Sequence, residues 1–138
     1  MNIKYYVLIF FMMCTISGCS KIQQRTLIVR NYIPANQVNV SNFNELKRSA
    51  DGGDAIAQYE IGKLYMTGLG VHKNHHTAMK YFENSANQGY GQAQYYLGLM
   101  YFDGKGVLTD FVKGCEWMKL AKDNGITEAF NFYSAYCY

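Results

Sequence analysis

One phrase occurs twice in this chain. "YEIGKLYMTGLGV" runs from Tyr59 to Val71 and "YYLGLMYFDGKGV" from Tyr95 to Val107, a displacement of 36 residues. Between Ala57 and Val71, eight of fifteen positions are identical in the second copy, among them Gly62/Gly98, Gly68/Gly104 and Gly70/Gly106. Gly89 matches Gly125, and Ile61/Leu97, Leu64/Met100 and Tyr81/Trp117 keep their character. A fixed period of this size marks stacked supersecondary units, each unable to bury its apolar face alone.

Each unit reads as two helices. Ala57, Ile61, Leu64 and Tyr65 recur at one face of a first helix. Gly68 follows, a residue that ends helices in the left-handed conformation. Asn74 and its counterpart Asp110 suit the N-cap of a second helix, which shows Ala78, Phe82, Ser85 and Ala86 at helical spacing and stops at Gly89. Gly62 and Gly98 fall inside first helices, where Gly costs roughly 1 kcal/mol against Ala. A neighbouring helix packed close against the backbone is the expected compensation.

The frame extends both ways. "SADGG" (Ser49–Gly53) aligns with the end of a second helix, so a half-unit helix is predicted from about Asn42 to Asp51. "EAFNFYSAYCY" (Glu128–Tyr138) aligns with the first helix of a third unit, and the sequence holds no second helix to pair it. That last helix, rich in aromatics over residues 130–138, is predicted to be an exposed end and a contact site. The predicted fold class is all-α, a right-handed α-solenoid of about six antiparallel helices, with a half-repeat at 42–53, repeats at 54–89 and 90–125, and a partial repeat at 126–138.

Ala57, Tyr59, Gly62, Tyr65, Gly68, Gly70, Val71, Ala78, Tyr81, Ala86 and Gly89 together form a pattern that resembles the Sel-one-like (SLR) repeat, a relative of the tetratricopeptide repeat. The resemblance covers roughly residues 42–138. Two departures stand out. Gly114 replaces the alanine matching Ala78, and Lys122 the one matching Ala86, so looser packing is expected for the helix that starts near Asp110.

The N-terminus is different. Lys4, an apolar stretch from Tyr5 to Ile16 and then "ISGCS" follow the layout of a secretory signal peptide. Twelve apolar residues are too few to span a bilayer, which takes about 20. Ile16-Ser17-Gly18-Cys19 resembles a bacterial lipobox, which implies a lipoprotein signal peptide at 1–18, lipidation of Cys19, and a lipid-anchored tether at 19–41. An ordinary signal with a chance cysteine and a short stop-transfer anchor are the alternatives. Ser20 lacks the aspartate that retains such proteins at the inner membrane, so the resemblance points to the outer membrane, facing the periplasm.

A net charge of +3 is too mild for a nucleic-acid partner, which needs a clustered basic stripe. Of four cysteines, Cys14 belongs to the signal and Cys19 to the lipid. Cys115 and Cys137 remain, in a compartment that permits disulfides. They stand equally far from a turn centred on Ile126, which in an antiparallel pair puts them at one height. A disulfide is expected, with two buried free thiols as the alternative.

Little here suggests chemistry. His72, His75 and His76 sit in one loop and helix start, but the second copy has Leu108, Phe111 and Val112 there, which favours a solvated loop over a metal site. The carboxylates show no pairing suited to acid–base work. No catalytic residue, metal or cofactor is assigned. Cysteine-rich relatives linked to β-lactam hydrolysis make a hydrolase the alternative function, although their dense paired cysteines are missing.

Surface remains. Tyr59, Lys63 and Met66, with Tyr95, Leu99 and Phe102 in the copy, lie on the side of the first helices away from the core stripe. In α-solenoids these helices line the concave face, so the six are candidate partner-binding residues. The same side is equally suited to packing on the next unit. The expected function is a periplasm-facing, lipid-anchored protein–protein interaction module. Exported members of the resembled family serve as adaptors, host-contact factors or inhibitors, including immunity proteins against secreted toxins, so the expected partner is a toxin, an effector or an envelope protein.

Overall fold

In the computed structural model the described residues are 40–137, with side chains described from residue 42. The predicted signal peptide at 1–18, the predicted lipidation site Cys19, the predicted tether up to residue 39, and Tyr138 lie outside them. The described residues form six helices: α1 (Val40–Asp51), α2 (Ala55–Thr67), α3 (His75–Asn87), α4 (Gly91–Asp103), α5 (Phe111–Asp123) and α6 (Thr127–Tyr136). Each packs most extensively on the helices before and after it in sequence, the arrangement expected of a solenoid. None is long and apolar enough to cross a membrane.

Local chemistry sets the boundaries. Asn74 Oδ1 accepts from the Thr77 N–H at 2.9 Å and Asp110 Oδ1 from the Lys113 N–H at 3.0 Å, each satisfying a donor that an isolated helix start would leave unpaired. Asp54 does the same for α2, accepting from the Ala57 N–H at 2.8 Å. Gly68 (φ 79°) and Gly104 (φ 66°) close α2 and α4 in the left-handed region.

Three clusters form the core. Ala50, Ala57, Ile61 and Leu64 join α1 to α2. Tyr59, Ala78, Met79, Phe82, Leu97, Met100 and Tyr101 join α2, α3 and α4. Met118, Ala121 and Ala129 join α5 to α6, with Tyr95, Leu99 and Phe102 of α4 packed on them. The mid-helix glycines create the close approach that their cost implied. A Cβ on Gly62 would stand 2.7 Å from the Phe82 ring, and one on Gly98 would stand 2.8 Å from Met118.

A polar clamp repeats with the apolar core. Gln58 and Gln94 are both buried. The Gln58 amide donates to the Ala50 carbonyl at 3.1 Å, and that of Gln94 to the Ala86 carbonyl at 3.2 Å. Their carbonyl oxygens accept from Gln88 and from Asn124, each at 2.7 Å. Every one of these partners lies 36 residues from its counterpart.

The expectation of looser packing near Asp110 is corrected. Gly114 is buried, and a Cβ there would meet the Phe102 ring at 2.7 Å. Phe102 replaces the slimmer Met66 of the first repeat, and the missing methyl of Gly114 makes room for its ring. The two changes offset each other.

Candidate functional site

The two stripes proposed for partner binding are packed between repeats. Tyr59 is only 7% exposed. Its ring lies 5.2 Å from Tyr90 and 5.7 Å from Tyr96, centroid to centroid. Burial, with Tyr96 alongside, pushes its phenol well above the ordinary tyrosine range. Lys63 pairs with Glu60 at 3.1 Å and covers the Tyr59 ring at 5.1 Å. Met66 packs on the middle cluster, and Tyr95, Leu99 and Phe102 on the last. The reason is the superhelical stacking itself, which sets each first helix against the following repeat. None of the six belongs to a freely exposed surface.

The exposed apolar surface lies at the other end of the unit. Phe111 is 63% exposed, Val112 71% and Tyr136 69%, with Leu108 and Phe130 also open to solvent. Between α5 and α6 runs a groove of about 380 Å³ lined by Phe111, Val112, Cys115, Tyr133, Tyr136 and Cys137 together with the charged Glu116 and Lys119. Monomeric proteins seldom expose contiguous apolar patches of any size without a use for them. The signal was legible: Leu108, Phe111 and Val112 stand where the first repeat has His72, His75 and His76. The last helix, predicted as a contact site, contributes Tyr133 and Tyr136 to the groove.

Cys115 and Cys137 are joined in a disulfide, with Cα atoms 5.5 Å apart. Facing positions on antiparallel α5 and α6 bring the two side chains together, as the spacing about Ile126 predicts. The bond forms one wall of the groove.

No chemistry gathers nearby. Among the described residues no group of three or more His, Cys, Asp or Glu side chains is placed to hold a metal ion. The histidines lie at the start of α3 and in the loop before it, where the Nδ1 atom of His75 is buried without a partner among the described residues. The ionisations shifted by their surroundings belong to Lys47, beside Asp51, and to Tyr59, Tyr90 and Tyr95, raised chiefly by burial. These are effects of burial and, for Lys47, of a surface ion pair, and nothing in them favours the hydrolase reading.

The Sel1 repeat family profile matches residues 55–90 and 91–126, the two helical pairs α2–α3 and α4–α5 with their following turns. The chain belongs to the Sel1 repeat family. Sel1 repeats act as protein-interaction modules, which agrees with a surface of exposed apolar side chains. No curated protein sequence matches the chain. Among solved structures, the SLR-fold protective antigen c5321 of uropathogenic Escherichia coli is similar, with 36% identity and a TM-score of 0.66 over 72% of this chain and 21% of that one. A Sel1 repeat protein from Oxalobacter formigenes shares 36% identity at a TM-score of 0.64, over 65% of this chain and 26% of its own. The match therefore spans about a quarter or less of these two proteins. Helicobacter pylori cysteine rich protein B, at 19% identity and a TM-score of 0.69 over 80% of this chain and 90% of its own, shares the fold.

Proposed function

We propose that the protein is an exported adaptor or inhibitor, held at the bacterial envelope by a lipid on Cys19 and docking a partner protein through the α5–α6 end of its Sel1 repeats. One observation carries the docking reading: Phe111, Val112 and Tyr136 are all more than 60% exposed around one groove. Aromatic and aliphatic side chains clustered with few charges are what the centre of a protein interface uses. The N-terminal layout, with Cys19 after Ile16-Ser17-Gly18, supports export and an anchor. Ser20, in place of the aspartate that retains such proteins at the inner membrane, supports a periplasm-facing position at the outer membrane. The disulfide fits an oxidising compartment, and an envelope position is in keeping with a protective antigen among the structural relatives. Neutralising a secreted toxin is the sharpest form of this role, since an anchored module would meet such a toxin where it arrives.

The test has two arms. Fatty-acid labelling should mark the wild-type protein and spare Cys19→Ala. Cross-linking in cells should join the protein to one partner, and the purified pair should bind in isolation. A triple Phe111→Ser, Val112→Ser, Tyr136→Ser variant of unchanged melting temperature should lose that binding. Full binding by the triple variant would remove the docking surface from the proposal, and labelled Cys19→Ala would remove the anchor.

A further inference from the structure

The groove between α5 and α6 has a counterpart inside the molecule. A shift of 36 residues carries Met79, Met100 and Tyr101 onto Cys115, Tyr136 and Cys137, and His75 and His76 onto Phe111 and Val112. Met79, Met100 and Tyr101 are buried at the α3–α4 junction. What helps to cover them is the turn after α4. Gly104 and Gly106 take left-handed conformations, with φ of 66° and 80°, and the turn delivers Val107 onto the cluster that holds all three residues. Its backbone presses on the first turn of α3: a Cβ on Gly106 would stand 2.6 Å from the His75 carbonyl oxygen. The first repeat does the same one step earlier, where Gly68 and Gly70 (φ 79° and 72°) place Val71 on the cluster of Ala50, Ala57, Ile61 and Leu64.

Two successive grooves are thus filled by a valine carried on a turn with two left-handed glycines. Among the described residues no such turn covers the third, whose walls are joined by the Cys115–Cys137 bond. Building on the docking reading above, we infer that the α5–α6 groove is a receptor for an aliphatic side chain presented on a glycine turn of a partner protein, seated as Val71 and Val107 are seated in the two grooves before it. The selectivity follows from the same geometry. Only a residue without Cβ lets a backbone come as near to a helix start as Gly106 does, so a partner lacking glycine there would be held off the groove. A valine side chain also leaves part of the roughly 380 Å³ unfilled, so a flanking apolar residue of the partner enters with it.

The turn in this chain supplies the probe. The Asp110 N–H donates to the Tyr101 carbonyl at 3.0 Å, so the ends of residues 101–110 meet and a cyclised peptide of that sequence keeps the shape while limiting the ordering penalty of binding. Titrated into the full chain in detergent and followed by NMR, it should shift the Val112 methyls, the Tyr136 ring and the amides of Cys115 and Cys137 saturably. A peptide with Val107→Gly, which presents no aliphatic side chain to the groove, should bind at least about tenfold more weakly. Val112→Glu in the protein should weaken the parent peptide to a similar degree. Equal binding by the two peptides, shifts that never saturate, or shifts confined to α3 and α4 would each overturn the inference. If the peptide fails while the triple variant still loses its partner, the turn-receptor idea falls and the docking surface stands.

Discussion

The α3–α4 groove and the α5–α6 groove are made from corresponding residues of the same repeat, yet one is interior and the other is surface. In the first, Met79 and Tyr101 are buried, and Val107 packs against the cluster that contains them. In the second, the same two positions are cysteines bound to each other, and their neighbour Tyr136 is open to solvent. Two ways of holding a helix pair together are therefore visible in one chain. Apolar cover secures the junction and hides it. A covalent bond secures the junction without requiring cover, which lets a hydrophobic groove face the solvent while its walls stay in place. The exchange of His75 and His76 for Phe111 and Val112 leaves exposed apolar side chains along the second groove.

Breaking the bond should test this contrast most severely. Cys115→Ser with Cys137→Ser releases a link across 22 residues and should cost about 3 kcal/mol in the chain-entropy account of cross-links. Hydrogen exchange should show the loss concentrated in α6, with α2 and α3 still protected. Undiminished protection of α6 would mean that packing alone holds the open groove.

A smaller effect should come from disturbing the filled groove. Gly106→Ala forces a side chain into a left-handed backbone and against the His75 carbonyl, at a cost of about 2 kcal/mol. Denaturant unfolding measures it, and faster exchange around Met100 would mark the groove coming open. A neutral substitution would show that the turn does not cover the joint.

The smallest effect sharpens the comparison inside the helices. Gly62→Ala and Gly98→Ala each gain up to about 1 kcal/mol of helix propensity and lose about 1–3 kcal/mol to overpacking. Gly62→Ala should be the worse, since it meets a stiff Phe82 ring, whereas Met118 beside Gly98 can change rotamer. Melting curves showing both variants more stable than the parent would refute the close approach.

The repeat was legible because its signals are local. Asn74 and Asp110 cap, Gly68 and Gly104 terminate, and a glycine inside a helix announces contact with a neighbour. Each of these needs only a few residues of context. The disulfide was legible by a count from Ile126. The surface was harder to read. Tyr59, Lys63 and Met66 lie away from the core stripe of α2, and whether that side meets solvent or another helix depends on the rotation between repeats, which no single helix encodes. The role of Gly114 was hidden for a similar reason, since it makes sense only beside Phe102 on another helix. Gln58 and Gln94 are identical in the two copies, yet nothing in the sequence assigns them a role, because polar side chains at buried junctions acquire meaning only from the carbonyls they reach.

Those two glutamines carry a consequence for how such chains vary in length. Each buried amide is satisfied by a carbonyl one junction back and by an amide one junction ahead, and every member of the set recurs 36 residues later. Adding or removing a whole unit leaves every donor and acceptor matched. An insertion of a single helical turn between units would keep the helices intact but strand buried amides without partners, at about 1–3 kcal/mol apiece. The joint therefore works as a counting device: arrays of this kind change length by whole repeats, and the buried polar side chains, more than the forgiving apolar core, enforce the count.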